Sequence, residues 1–124
     1  MKKLLVTLFA SMLLTMGAGC VSVSNQTASK TVVHVVTVAW KAEATPEQIK
    51  AALDGAQALP QSYKGITHVW TKTLKAQGGK ANAIVMEFVD EAALKAYADS
   101  PAQKEWYKVY LPIRGESTTF DITN

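Results

Sequence analysis

The sequence predicts an α+β sandwich in which four strands form one antiparallel sheet and helices cover one of its faces. Three observations lead there. Segments dense in β-branched and aromatic residues occupy residues 31–40, 65–75, 81–89 and 116–123. Two helix-start signatures, Thr45-Pro46-Glu47-Gln48 and Ser100-Pro101-Ala102-Gln103, lie between strands. The second and third strands are separated only by a short segment containing Gly78-Gly79, so they pair as neighbours.

Taken in order, residues 31–40 (TVVHVVTVAW) read as the first strand. Thr45 caps the first helix, with Pro46 at the first helical position and Gln48 three residues after the cap. Ile49, Leu53, Ala56 and Leu59 recur at helical spacing, and Pro60 is expected to end the run. Residues 65–75 and 81–89 are the second and third strands, joined by a hairpin turn at Gln77-Gly78-Gly79-Lys80. A phosphate loop at these glycines would need a following Lys-Ser/Thr pair and a helix, and neither is there. Asp90 caps a short helix over residues 91–99 that carries Leu94 and Tyr97. Ser100 opens the next, which carries Trp106, Tyr110 and Ile113 and is closed by Gly115. Residues 116–123 (ESTTFDIT) alternate and form the last strand. The order is βαββαβ with the second helical region split in two, a ferredoxin-like sandwich.

The strand patterns carry a second message. An antiparallel sheet with one solvated face should alternate apolar and polar residues. In the first strand, Val33, Val35 and Ala39 share one face, and His34, Val36, Val38 and Trp40 the other. In the third, Ile84, Met86 and Phe88 oppose Ala83, Val85 and Val89. Both faces are mostly apolar, and helices can cover only one of them. A second copy of the sheet is the economical cover, which predicts a symmetric homodimer.

The N-terminal segment reads as an address. Met1, Lys2 and Lys3 are followed by an apolar run of thirteen residues, 4–16, and then by Gly17, Ala18 and Gly19 before Cys20. A positive, then apolar, then small-residue order is that of a secretory signal peptide, and the run is too short for a membrane span of about 20 residues. Gly17-Ala18-Gly19-Cys20 resembles a bacterial lipobox, departing from it at Gly17, where an apolar residue such as Leu is usual. The resemblance implies that residues 1–19 are a lipoprotein signal peptide and that Cys20 is acylated and becomes the new N-terminus. Several acyl chains together hold a protein at a membrane surface without spanning it. Val21 after the cysteine, in place of Asp, implies the periplasmic face of the outer membrane in preference to the inner membrane. Residues 20–30 then form the lipidated cysteine and a small, polar, flexible tether, and the folded domain covers residues 31–124.

Composition closes other doors. At 124 residues the chain holds one domain. With 48% apolar and 19% charged residues it is not a disordered chain. A single cysteine forbids an internal disulfide, and Cys20, His34 and His68 are too few for a structural zinc site, so neither metal nor cofactor is expected. Without Lys2 and Lys3 the thirteen basic residues become eleven against ten acidic ones, which gives no reason to expect nucleic acid as a partner.

The segment His34-Val-Val-Thr-Val-Ala-Trp40 resembles the opening strand of the stress-responsive A/B barrel (Dabb) family. Tyr97-Ala-Asp-Ser-Pro101-Ala-Gln103-Lys-Glu-Trp106 resembles its Tyr-x-x-x-Pro-x-His-x-x-aromatic motif, and Phe120-Asp121 its closing Phe-Asp. The resemblance runs over about residues 32–122. It implies a homodimer in which two four-stranded sheets close into a barrel. It also implies a pocket between sheet and helices, where the cyclase members of the family use a motif histidine as base with the motif tyrosine as its partner. Here Tyr97 stands at the tyrosine and His34 at the first-strand histidine, but Gln103 replaces the motif histidine. A neutral amide accepts no proton near pH 7 and cannot be the base. The resemblance therefore leaves catalysis open and leaning against it.

Each candidate also has a plain structural role: Gln103 as the far side of a capping box, Tyr97 as a buried aromatic, His34 as a satisfied core histidine, Trp106 as helix core. His68 and Trp70 share a face of the second strand that belongs to a pocket, a dimer contact or an exposed edge. The first function expected is binding of a small apolar or aromatic molecule in a cavity lined by His34, Val36, Tyr97, Gln103 and Trp106, and the low charge of the domain fits an uncharged or weakly polar ligand. A lyase or isomerase using His34 as acid/base with Tyr97 as hydroxyl donor is the alternative. A non-catalytic structural protein of the envelope is the third.

Overall fold

The computed structural model describes residues 30–124. The signal segment, Cys20 and all of the tether but Lys30 lie outside the described residues. Four strands and three helices follow in the order β1 (Val32–Trp40), α1 (Pro46–Ser62), β2 (Ile66–Trp70), β3 (Asn82–Phe88), α2 (Glu91–Tyr97), α3 (Pro101–Tyr110) and β4 (Arg114–Thr123). They form one sheet in the order β2-β3-β1-β4, with every neighbouring pair antiparallel. This is the ferredoxin-like α+β fold with helices on one face. No helix among the described residues is long and apolar enough to cross a membrane.

Local chemistry explains the helix starts. Thr45 accepts from the Gln48 amide while the Gln48 side chain accepts from the Thr45 amide, a complete capping box. Asp90 accepts from the Ala93 amide at 2.7 Å and Ser100 from the Gln103 amide at 3.2 Å. The ends follow less local rules. Pro60 does not stop α1, which continues to Ser62. In the final turn a proline removes one i→i−4 bond, that of the Ala56 carbonyl, and the Tyr63 amide still reaches the Leu59 carbonyl at 2.8 Å. Gly115 does not close α3 either. The helix ends at Tyr110, and Gly115 lies inside β4, where an added Cβ would come within 2.7 Å of the Ala39 carbonyl oxygen.

The second strand is shorter than its composition suggests, ending at Trp70. Beyond it side chains take over the bonds a ladder would make. Thr71, buried, receives a bond from the Gln57 amide group, and the Thr73 hydroxyl accepts from the Ala83 amide. The Gly78-Gly79 turn does form, with φ of +63° and +75°, and the Lys80 amide donates to the Gln77 carbonyl. It sits within the connection of residues 71–81 rather than directly between two paired strands.

On the helix-covered face, Val36 and Val38 of β1 and Ile84, Met86 and Phe88 of β3 pack against α1 and α3 through Ala52, Ala56, Leu59, Trp106 and Tyr110. The cross-strand partners Val35↔Val85, Val35↔Phe120 and Val33↔Ile122 put the other set of apolar residues on the far face. That face is open: Trp70, Phe120 and Ile122 are 51%, 54% and 56% exposed.

Candidate functional site

Strand β1 sits between β3 and β4 and turns His34 and Val36 toward the helices, opposite Asp121 and Thr119 of β4. Tyr97 ends α2, and Gln103 and Trp106 lie one turn apart on α3. The five side chains His34, Val36, Tyr97, Gln103 and Trp106 come together on the wall of one cavity of about 330 Å³ between the sheet and these two helices.

His34 is held from behind. Its Nδ1 lies 2.5 Å from Asp121 Oδ1, and its ring meets the Phe88 ring edge-on at 6.2 Å. A proton on Nδ1 donated to this carboxylate leaves Nε2 with its lone pair when the imidazole is neutral, the arrangement that lets a histidine accept a proton or a hydrogen bond. The imidazole side chain is 20% exposed and that of Asp121 52%, so the pair is open to solvent.

Tyr97 is buried within the site. Its ring lies 5.4 Å from both Tyr63 and Phe88, and its hydroxyl is buried with no hydrogen-bond partner among the described residues. Desolvation first, and the neighbouring Tyr107 second, hold the phenol well above the ordinary tyrosine range, so it stays protonated and acts only as a neutral hydroxyl. Burial also pushes Tyr110 up, against the opposing pull of Arg114. The Tyr110 hydroxyl lies near Arg114 and Ser117, but neither meets hydrogen-bond geometry with it.

The other two predicted residues have structural commitments. Trp106 donates its indole N–H to the Ala52 carbonyl at 2.9 Å and stacks on Tyr110 at 4.5 Å, so it offers the cavity a ring and no donor. Gln103 does not close a capping box with Ser100. The Ser100 amide donates instead to the Tyr97 carbonyl, and Gln103 Oε1 accepts at 2.8 Å from Asp99, whose φ of +63° aims its amide there. Aspartate tolerates that left-handed conformation better than most residues.

The fourth wall was not singled out from the sequence. Arg114, Ser117, Thr119 and Asp121 of β4 all line the cavity, so it is less apolar than expected. The alternation of ESTTFDIT placed Ser117, Thr119 and Asp121 on one face, but only the pairing register puts that face beside His34. On the far face of the sheet, His68 Nδ1 lies 2.7 Å from Glu87 and the imidazole stacks on Trp70 at 5.6 Å. The bond to His68, then that to Thr67, holds the Glu87 carboxyl below the usual range.

The structure is similar to a hydroxynitrile lyase from Passiflora edulis, at 17% identity and a TM-score of 0.69 over 77% of this chain and 94% of that one. It is similar to a Dabb-family protein with a ferredoxin-like fold from Mesorhizobium loti, at 21% identity and a TM-score of 0.63 over 75% and 95%. A dimeric ferredoxin-like protein of unknown function from Thermobifida fusca is similar at 17% identity, with a TM-score of 0.66 over 77% and 92%. At such identities the likeness shows the fold alone. No curated protein matches the sequence. The profile of the Stress responsive A/B Barrel Domain, however, matches residues 32–124, the whole of the sandwich from the start of β1 onward, and the chain belongs to that family, Dabb.

Proposed function

We propose that this protein is a lipid-anchored, dimeric binding protein of the bacterial envelope that holds a small, largely apolar or aromatic molecule between its sheet and helices α2 and α3. One observation carries the binding role: His34, Val36, Tyr97, Gln103 and Trp106 converge on a single cavity of about 330 Å³. That volume lies at the small end of the range of ligand pockets, about 300–1,000 Å³. Apolar contact comes from Val36 and the aromatic rings, and orientation from His34 and the unpartnered Tyr97 hydroxyl. The open apolar face of the sheet supports a second copy as its cover, and the Thermobifida fusca relative is itself dimeric. The anchor rests on the likeness of residues 17–20 to a lipobox, with Val21 favouring the outer membrane. Radiolabelled palmitate should enter the wild-type protein and not Cys20→Ala.

Native mass spectrometry of the full chain tests the binding role. A dimer carrying a discrete small-molecule mass is expected. A dimer that stays empty against a library of small aromatic compounds counts against binding, and a persistent monomer counts against the barrel.

The pairing of His34 with Asp121 favours a second reading, a lyase or isomerase. Asp121 would orient the imidazole so that Nε2 takes a proton from the substrate, while Tyr97, kept protonated by burial, donates a hydrogen bond to the oxygen that gains charge. The Passiflora edulis relative is a hydroxynitrile lyase. His34→Ala separates the three functions: it abolishes turnover in an enzyme, weakens ligand affinity modestly in a binding protein, and changes only stability in a structural one.

A further inference from the structure

The β4 wall differs in chemistry from the rest of the cavity. Arg114, the only arginine of the chain, is half-buried there. Its guanidinium carbon lies 5.7 Å from the centre of the Tyr110 ring, and no acidic side chain pairs with it among the described residues. The carboxylate on this wall, Asp121, is bound to His34 instead. The buried Tyr110 hydroxyl lies beside Arg114 without a hydrogen bond, and Ser117 is close by.

A backbone device aims the arginine. Val38 pairs with Ser117 but Trp40 pairs with Arg114, so two steps along β1 correspond to three along β4. In a regular strand, residues three apart point to opposite faces; the extra residue of this bulge returns Arg114 to the helix side, next to Ser117. Only glycine fits the bulge, because a Cβ on Gly115 would strike the Ala39 carbonyl.

A partly desolvated guanidinium without a counter-anion among the described residues, set beside the unpartnered Tyr110 hydroxyl and the Ser117 side chain, is a donor set for an oxyanion. We infer that the cavity takes an organic acid, whose carboxylate is received by Arg114 with the Tyr110 and Ser117 hydroxyls and whose apolar or aromatic body lies against Val36 and Trp106. The inference rests on the binding role proposed above and names its ligand class. Ser117 and Asp121 stand four residues apart on one strand, about 13 Å at 3.3 Å per residue, so the carboxylate site and the His34–Asp121 pair occupy opposite ends of the cavity. The acid is therefore elongated, with its second polar group remote from its carboxylate.

Titration of the full chain with 4-phenylbutyrate and with its neutral counterpart 4-phenylbutan-1-ol tests this. The carboxylate is expected to bind at least tenfold more tightly. The single arginine Nε–Hε resonance of the ¹⁵N-labelled wild-type protein should shift with the acid and not with the alcohol, which needs no variant to fold. Arg114→Gln should lose the preference while keeping the alcohol. Equal affinities, an Nε–Hε signal indifferent to phenylbutyrate, or a preference that survives Arg114→Gln would overturn the acid and leave the binding role standing. Failure of both probes to bind at millimolar concentration overturns the binding role and the acid together.

Discussion

The Tyr97 hydroxyl is enclosed by Tyr63 and Phe88 and has no hydrogen-bond partner among the described residues, so ionising it would place a phenolate among aromatic rings. Its folded pKa is therefore raised above the unfolded value of about 10, and that of Tyr110 is raised too. The stability linked to these groups is fully present below about pH 10. It declines as pH rises further, because the unfolded chain releases the protons first, at about 1.4 kcal/mol per pH unit for Tyr97. Tyr97→Phe should make that alkaline decline shallower in denaturant titrations between pH 9 and 11. At pH 7 the same variant should be as stable as the wild type or about 1 kcal/mol more stable, since it removes an unsatisfied buried hydroxyl. Ligand affinity should fall in that variant, a split that a merely structural tyrosine would not produce. Residues at this scale were legible where the family motif marks them, as for Tyr97 and His34. Asp121 belongs to a short closing motif, and nothing in its neighbourhood announces that it meets a histidine 87 positions away.

Among the elements, helix starts were readable because a cap is a contact between residues three apart. Thr45→Ala should cost about 1 kcal/mol in thermal or chemical denaturation by leaving the first turn of α1 with unpaired amides. Ends and registers were not readable in the same way. The end of β2 depends on Gln57 and Ala83 drawing in the hydroxyls of Thr71 and Thr73, partners that lie far off in sequence. The bulge of β4 depends on the path of Ala39 and Trp40 opposite it. Glycine is common at helix stops, which is what Gly115 suggests in the sequence, whereas its task is to admit a carbonyl at close range. Gly115→Ala should destabilise the domain by about 2 kcal/mol through that clash, read as a lowered denaturation midpoint. It should also weaken binding of phenylbutyrate more than of phenylbutanol, since the arginine's aim depends on the bulge.

For the whole molecule, the two-sided apolar pattern of β1 and β3 foretold a face that helices do not reach, and Trp70, Phe120 and Ile122 stand exposed on it. Burying them against a second copy removes about 25 cal/mol of unfavourable hydration per Å² of apolar surface. On the proposed dimer, Phe120→Glu should therefore yield a monomer at micromolar concentration in sedimentation velocity and the wild type a dimer. The near-balance of charge in the domain was a poor guide to the site. Net charge is a sum over the surface and does not register that Arg114 lines the cavity with no acidic partner among the described residues.

The sheet also brings the two ends of the domain together. Val32 pairs with Thr123, and the Thr123 hydroxyl donates to the Thr31 carbonyl at 3.0 Å. The backbone of the sandwich is thus nearly a ring, and its connectivity can be rewritten without moving a strand. A short linker from residue 124 to residue 30, with new ends opened between the exposed Gly78 and Gly79, would give a circularly permuted protein with the same sheet order and the same cavity, whose termini lie at the opposite end of the sheet.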